Sequence, residues 1–180
     1  MFSKKSLIQV WIGFALCIEA SHAHVVLTDQ LAVAGSYYKG TLRVGHGCGD
    51  EPTTSITVKI PAGFEGAKPQ PKFGWTLTIK KELLPKPYTS HGKTITEDVV
   101  EIKWQATSKD FYLPNEQFDE FSFFTRLPAK PGPHWISVRQ ECVKGINDWA
   151  EVPASGTSTK GLKTPAALLE LLPSQQHDHH

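Results

Sequence analysis

The chain is predicted to be an all-β domain on three grounds: its apolar content, its punctuation and its periodicity. At 180 residues it is 39% hydrophobic and 10% aromatic, enough for one packed core and short of a comfortable two-domain length. Its 14 glycines and 13 prolines fall between short segments, which disfavours long helices. The segments between them alternate apolar with polar side chains and are rich in Val, Ile, Thr and aromatics, the pattern of strands with one buried face.

Taken in order, strands are expected over residues 25–33, 37–44, 53–60, 75–80, 94–104, 118–127 and 135–140. Gly35, Pro61-Ala62-Gly63, Lys86-Pro87, His91-Gly92 and Pro131-Gly132-Pro133 fall between them as turns. About seven strands at this spacing suggest an immunoglobulin-like β-sandwich, with a closed barrel as the alternative topology. From Pro153 the composition shifts to Ser, Thr, Gly and Lys, a flexible connector. Thr164-Pro165 then opens either a short helix over 166–172, capped by Thr164, or an extended edge segment. The chain ends in His177-Asp178-His179-His180, which reads as a solvated tail or a weak metal collector.

Nineteen basic and eighteen acidic residues leave a net charge of +1, too little field to attract nucleic acid or an anionic membrane surface. At the N-terminus, Lys4 and Lys5 precede a largely apolar run over 7–18, and Ser21-His22-Ala23 puts small residues at the first and third positions of a processing site. That order is a secretory signal over residues 1–23. A lipid-anchored reading of Cys17 is disfavoured by the bulky Phe14 and Leu16 before it. No later stretch approaches the roughly 20 apolar residues of a membrane span, so a protein without a membrane anchor, periplasmic or secreted, is expected. Cys17 leaves with the leader. Cys48 and Cys142 remain, and an oxidising compartment makes them a disulfide, the competing reading being a copper site built from both sulfurs.

Cleavage after Ala23 puts His24 first, where its free amine and ring Nδ1 can close on one metal ion, as no internal histidine can. The amine has a reference pKa of about 7.7–8.0 and imidazole one of about 6.5, so both can release a proton to a metal near neutral pH. Nitrogens held in one plane suit Cu(II). The second feature is the loop Gly45-His46-Gly47-Cys48-Gly49-Asp50-Glu51, whose glycines and cysteine can hold His46, Asp50 or Glu51 rigidly; read plainly, it is a strand-ending turn. The third is Gln140-Glu141-Cys142 followed by Gly145 and Trp149. If the two cysteines are joined, Trp149 can fold over the loop to shield a site, or it is an ordinary core aromatic.

A longer ordered set runs through the chain: His24-Val25-Val26, the segment from Gly35 to Val44, His46-Gly47-Cys48 leading to Pro52-Thr53-Thr54, and Ile60-Pro61 with Gly63. It continues with the turn from Pro71 to Gly74-Trp75, the segment from Phe118 to Pro128, and Gln140 to Cys142 ahead of Gly145 and Trp149. From His24 to about Val152 this set resembles the YcnI-like copper-binding domain family of bacterial exported proteins. The resemblance implies an immunoglobulin-like β-sandwich over 24–152, with residues 153–180 beyond it. It further implies Cu(II) held by the processed His24, assisted by a carboxylate and flanked by the indole of Trp149. Where some members have a Glu after the second strand, this chain has His46-Gly47-Cys48-Gly49, which leaves the remaining ligands open among His46, Asp50 and Glu51.

The expected function is a non-enzymatic, exported copper-binding protein that sequesters Cu(II) or passes it to another periplasmic copper protein. The rival is a copper-dependent polysaccharide monooxygenase, which would need a second histidine from His91 or His134; a metal-free adhesion or chaperone-like sandwich is the third reading. If the tail collects copper by proximity, deleting His177 to His180 is expected to slow loading at low copper and leave the final affinity unchanged, as followed by stopped-flow fluorescence.

Overall fold

The structure, a computed structural model, describes residues 24–174. The expected leader, Cys17 and the segment His177 to His180 lie outside the described residues. In chain order the strands are β1 (Val26–Leu27), β2 (Leu31–Val33), β3 (Tyr37–Val44), β4 (Thr53–Lys59), β5 (Glu65–Pro69) and β6 (Trp75–Ser90). There follow β7 (Lys93–Ala106), a single 3-10 turn (Lys109–Phe111), β8 (Asp119–Arg126), β9 (Gly132–Ile136), β10 (Val138–Cys142), β11 (Ile146–Trp149) and β12 (Ala167–Leu172). They form a four-stranded sheet ordered β1-β3-β8-β5, a five-stranded sheet ordered β11-β10-β4-β7-β6 and a three-stranded sheet ordered β2-β12-β9. Among the described residues no helix is long and apolar enough to cross a membrane.

The sheets form a sandwich because the alternating strands each turn an apolar row inward. Phe121 of β8 meets Trp75 of β6 edge-on at 5.0 Å and Trp104 of β7 at 5.7 Å, so aromatic side chains from the two larger sheets interlock at the centre. Leu42, Ile56, Val58 and Ile102 fill the space around them and are fully buried. Gly40 of β3 is needed here, since a Cβ would stand 2.5 Å from the ring of Phe123. His91 and Gly92 take φ of 49° and 74°, the two positive values that a tight hairpin between β6 and β7 requires.

Several expected elements differ in the structure. The turn expected at Lys86-Pro87 is not one: β6 continues through it, and its pairing with β7 slips between Leu83 and Tyr88. A proline cannot donate to the ladder, and the slip accommodates that loss without ending the strand. Residues 25–33 split into β1 and β2, and 135–140 into β9 and β10, each half joining a different sheet. The short β5 and β11 were not foreseen. Residues 167–172 are β12, the middle strand of the three-stranded sheet, rather than a helix or an edge. Ala167, Leu169 and Leu171 are buried while Glu170 and Leu172 are exposed, so burial with a period of two overrides the helical preference of a Leu-rich run. Packing therefore continues well past residue 152.

The N-terminal segment is held from three sides. β1 pairs with β3 through Val26↔Arg43 and Leu27↔Leu42, β2 runs parallel to β12, and the Tyr38 hydroxyl donates to the Asp29 carbonyl. Burial, and then the nearby Asp29 charge, raises the Tyr38 phenol well above its usual range, so it stays a donor. Cys48 and Cys142 are joined, with Cα atoms 5.9 Å apart across 94 residues of sequence.

Leu169→Ala is expected to cost about 2–5 kcal/mol, seen as a lower urea midpoint. The pair Cys48→Ala with Cys142→Ala is expected to cost about 2–4 kcal/mol in the same measurement, and adding reductant to that variant should change nothing further.

Candidate metal centre

His24 stands two residues before β1, and continuing the β1–β3 register backward sets it beside Gly45, at the start of the loop that carries His46. Trp149, on the edge strand β11, is almost fully buried. Its indole meets the ring of His24 edge-on at 5.6 Å and the ring of His46 edge-on at 6.2 Å. Two histidines 22 positions apart in the chain thus flank one aromatic ring.

The His46 ring is tied to its own loop. Its Nδ1 lies 2.5 Å from the Gly47 carbonyl oxygen, which can only accept, so this hydrogen bond puts a proton on Nδ1 and, in the neutral ring, makes Nε2 the basic nitrogen. An imidazole whose far nitrogen donates to a carbonyl is the usual form of a metal-binding histidine. The loop is tight: a Cβ on Gly47 would sit 1.9 Å from the Glu51 carbonyl oxygen, so no side chain fits there. Cys48 and Glu51 exchange backbone hydrogen bonds of 3.1 and 3.3 Å, which closes a turn with Gly49, at φ +64°, and the exposed Asp50 at its tip. Gly145, at φ +88°, lies in the β10–β11 turn beside the disulfide, where an added Cβ would stand 3.5 Å from the Cys48 Cβ.

Of the candidate residues, His24, His46 and Trp149 are brought together. Asp50 points from the turn tip into solvent, and Glu51 is half-buried with its carboxylate 3.5 Å from Lys144 Nζ. His91 occupies the β6–β7 hairpin tip, and His134 on β9 packs edge-on against Phe64 at 5.6 Å. Among the described residues no group of three or more His, Cys, Asp or Glu side chains is placed to hold a metal ion. Side chains alone therefore do not complete a site, and a donor set at His24 and His46 needs the amine that processing would create. With that amine, the nitrogens present suit copper.

Sequence reading named Gln140 only as part of a segment and gave its side chain no role. Its side chain is fully buried and all of its amide is used: Nε2 donates to the His46 carbonyl at 2.6 Å and to Thr53 Oγ1 at 2.7 Å. Its Oε1 accepts from Trp149 Nε1 at 3.1 Å and Asn147 Nδ2 at 3.3 Å. The signal was present, because alternation in β10 puts Gln140 on the same inward face as Val138, and a polar group there must find partners. Asn115, whose Oδ1 accepts from the Gly47 N–H at 3.0 Å, carried no such signal.

Comparisons with known proteins bear on the fold and the family. No curated protein is significantly similar to the chain. An uncharacterized Nocardia farcinica protein whose crystal structure reveals an immunoglobulin-like fold is 23% identical, with a TM-score of 0.63 over 82% of this chain and 97% of its own. A non-cellulosomal cohesin from Archaeoglobus fulgidus is 9% identical, with a TM-score of 0.39 over 87% of this chain and 98% of its own. The seventh ScaB type I cohesin of Pseudobacteroides cellulosolvens is 10% identical, with a TM-score of 0.36 over 87% of this chain and 96% of its own. The first of these supports the immunoglobulin-like fold. Residues 24–171 match the family described as a domain of unknown function, DUF1775, and over that span the chain belongs to the DUF1775 family.

Proposed function

We propose that the mature protein is a non-enzymatic, exported copper-binding protein of the YcnI-like kind, which holds Cu(II) for sequestration or for transfer to another periplasmic copper protein. The observation that carries this reading is the pair of histidines on one buried indole, with His46 Nδ1 engaged and its Nε2 left as the donor. In this reading His24 supplies two nitrogens, its amine and its ring, and His46 supplies a third from a loop fixed by the disulfide. The carboxylate is left to Asp50 or Glu51, and either has to turn in from the loop, Asp50 from solvent and Glu51 from Lys144.

Trp149 acts by exclusion. Its ring lies edge-on to both imidazoles and its N–H is satisfied within the protein, so it limits water on one side without competing as a ligand. Bound copper supplies Lewis acidity and a Cu(II)/Cu(I) couple, and a carrier has use for neither. What it needs is donors that rearrange little on loading, and the fixed backbone that carries His46 serves that need.

Protein starting at His24 is expected to bind Cu(II) tightly in equilibrium dialysis, and one extra residue ahead of His24 is expected to abolish tight binding. Equal affinity in the extended form would refute the chelate. Electron paramagnetic resonance of His24→Ala, His46→Ala, Asp50→Ala and Glu51→Ala should show nitrogen couplings lost in the first two, and altered principal values in whichever carboxylate variant removes a ligand.

A further inference from the structure

We infer that Gln140 and Asn115 are positioning residues that clamp the peptide unit between His46 and Gly47, and thereby fix the direction of the His46 ring. The clamp stands on hydrogen bonds alone; what the ring is held for rests on the copper reading above. The carbonyl of that peptide accepts from Gln140 Nε2 at 2.6 Å, and its N–H donates to Asn115 Oδ1 at 3.0 Å. A peptide unit is planar and rigid, so holding both of its polar ends removes its freedom to swivel. The next carbonyl along, that of Gly47, is the one that takes the proton of His46 Nδ1. The ring is therefore tied to backbone that is itself tied to two other segments of the chain.

Gln140 does a second thing with the same amide. Its Oε1 accepts the Trp149 indole N–H while its Nε2 holds the His46 carbonyl, so one buried side chain sets the spacing between indole and loop. The amide cannot be reversed, because an indole N–H only donates and a carbonyl only accepts. An ionised carboxylate at this position cannot do both jobs: having acceptors only, it would keep the Trp149 bond and lose the one to His46, setting oxygen against oxygen. Asn115 reaches the loop from the segment between the 3-10 turn and β8, so the two clamping amides come from unconnected parts of the sandwich.

The test uses the mature chain starting at His24 and two variants, Gln140→Glu and Asn115→Ala. Asn115 is half-buried in a loop, so its truncation tests the clamp even if Gln140→Glu does not fold. Without copper, nitrogen-15 resonances of the His46 ring are expected to show the Nδ1-protonated tautomer in the unaltered protein and a mixture of tautomers in both variants. The Trp149 indole N–H resonance should stay in place in Gln140→Glu, whose carboxylate still accepts it. With Cu(II), both variants are expected to lose about 10–100-fold in affinity and to show the nitrogen coupling pattern of His46→Ala. Folded variants that keep the original tautomer, affinity and couplings would overturn the clamp while leaving the copper reading intact. A tautomer shift in protein that takes up no copper would support the clamp and sink the copper reading instead.

Discussion

The covalent link between Cys48 and Cys142 brings together two stretches of chain that no hairpin connects, and the local order around His46 depends on it. The pairing of β10 with β4 shifts between Glu141 and Cys142, so Cys142 lies opposite Thr53 at the mouth of the loop. The extra residue is Thr54 on β4, so Thr53 comes to the face that carries Gln140 and Cys142, with its hydroxyl 2.7 Å from Gln140 Nε2. The disulfide then fixes the start of the β3–β4 connection against the β10–β11 turn. A glycine-rich segment with many accessible conformations when free is left with few.

Around this anchor the buried polar groups are fully matched. Among the described residues no buried side-chain nitrogen or oxygen lacks a hydrogen-bond partner. Gln140, Thr53 and Ser55 sit in the core, and the first two share a hydrogen bond while Gln140 also reaches Trp149 and Asn147. Inside a protein such bonds are hard to exchange for water, and a saturated network holds one arrangement against its neighbours. The part of the loop turned to solvent is its tip, Gly49 and Asp50.

Much of the architecture was legible because it is local. Strands β3, β4, β7 and β8 announce themselves by alternation, and the His91-Gly92 turn by its residue types. What was not legible depends on partners distant in sequence. Residues 25–33 and 135–140 read as single strands because alternation runs through a change of sheet, and nothing nearby marks the crossing. Lys86-Pro87 carried a true turn signal that the long partner strand β7 overrode. At the candidate centre the residue types were readable and their neighbours only partly so. His24 and His46 could be named, but their common contact with Trp149 follows from the β1–β3 and β10–β11 registers. Asn115 could not be named, since a loop asparagine has many ordinary uses.

The three-stranded sheet puts β12 between β2 and β9, so the first and last regions of the domain are neighbours. Neither β2 nor β9 has another partner in that sheet, and a parallel ladder between chain ends cannot form from a growing N-terminal portion. The three-stranded sheet therefore cannot close until β12 is available, and until then β2 and β9 present open backbone that β12 is shaped to cover.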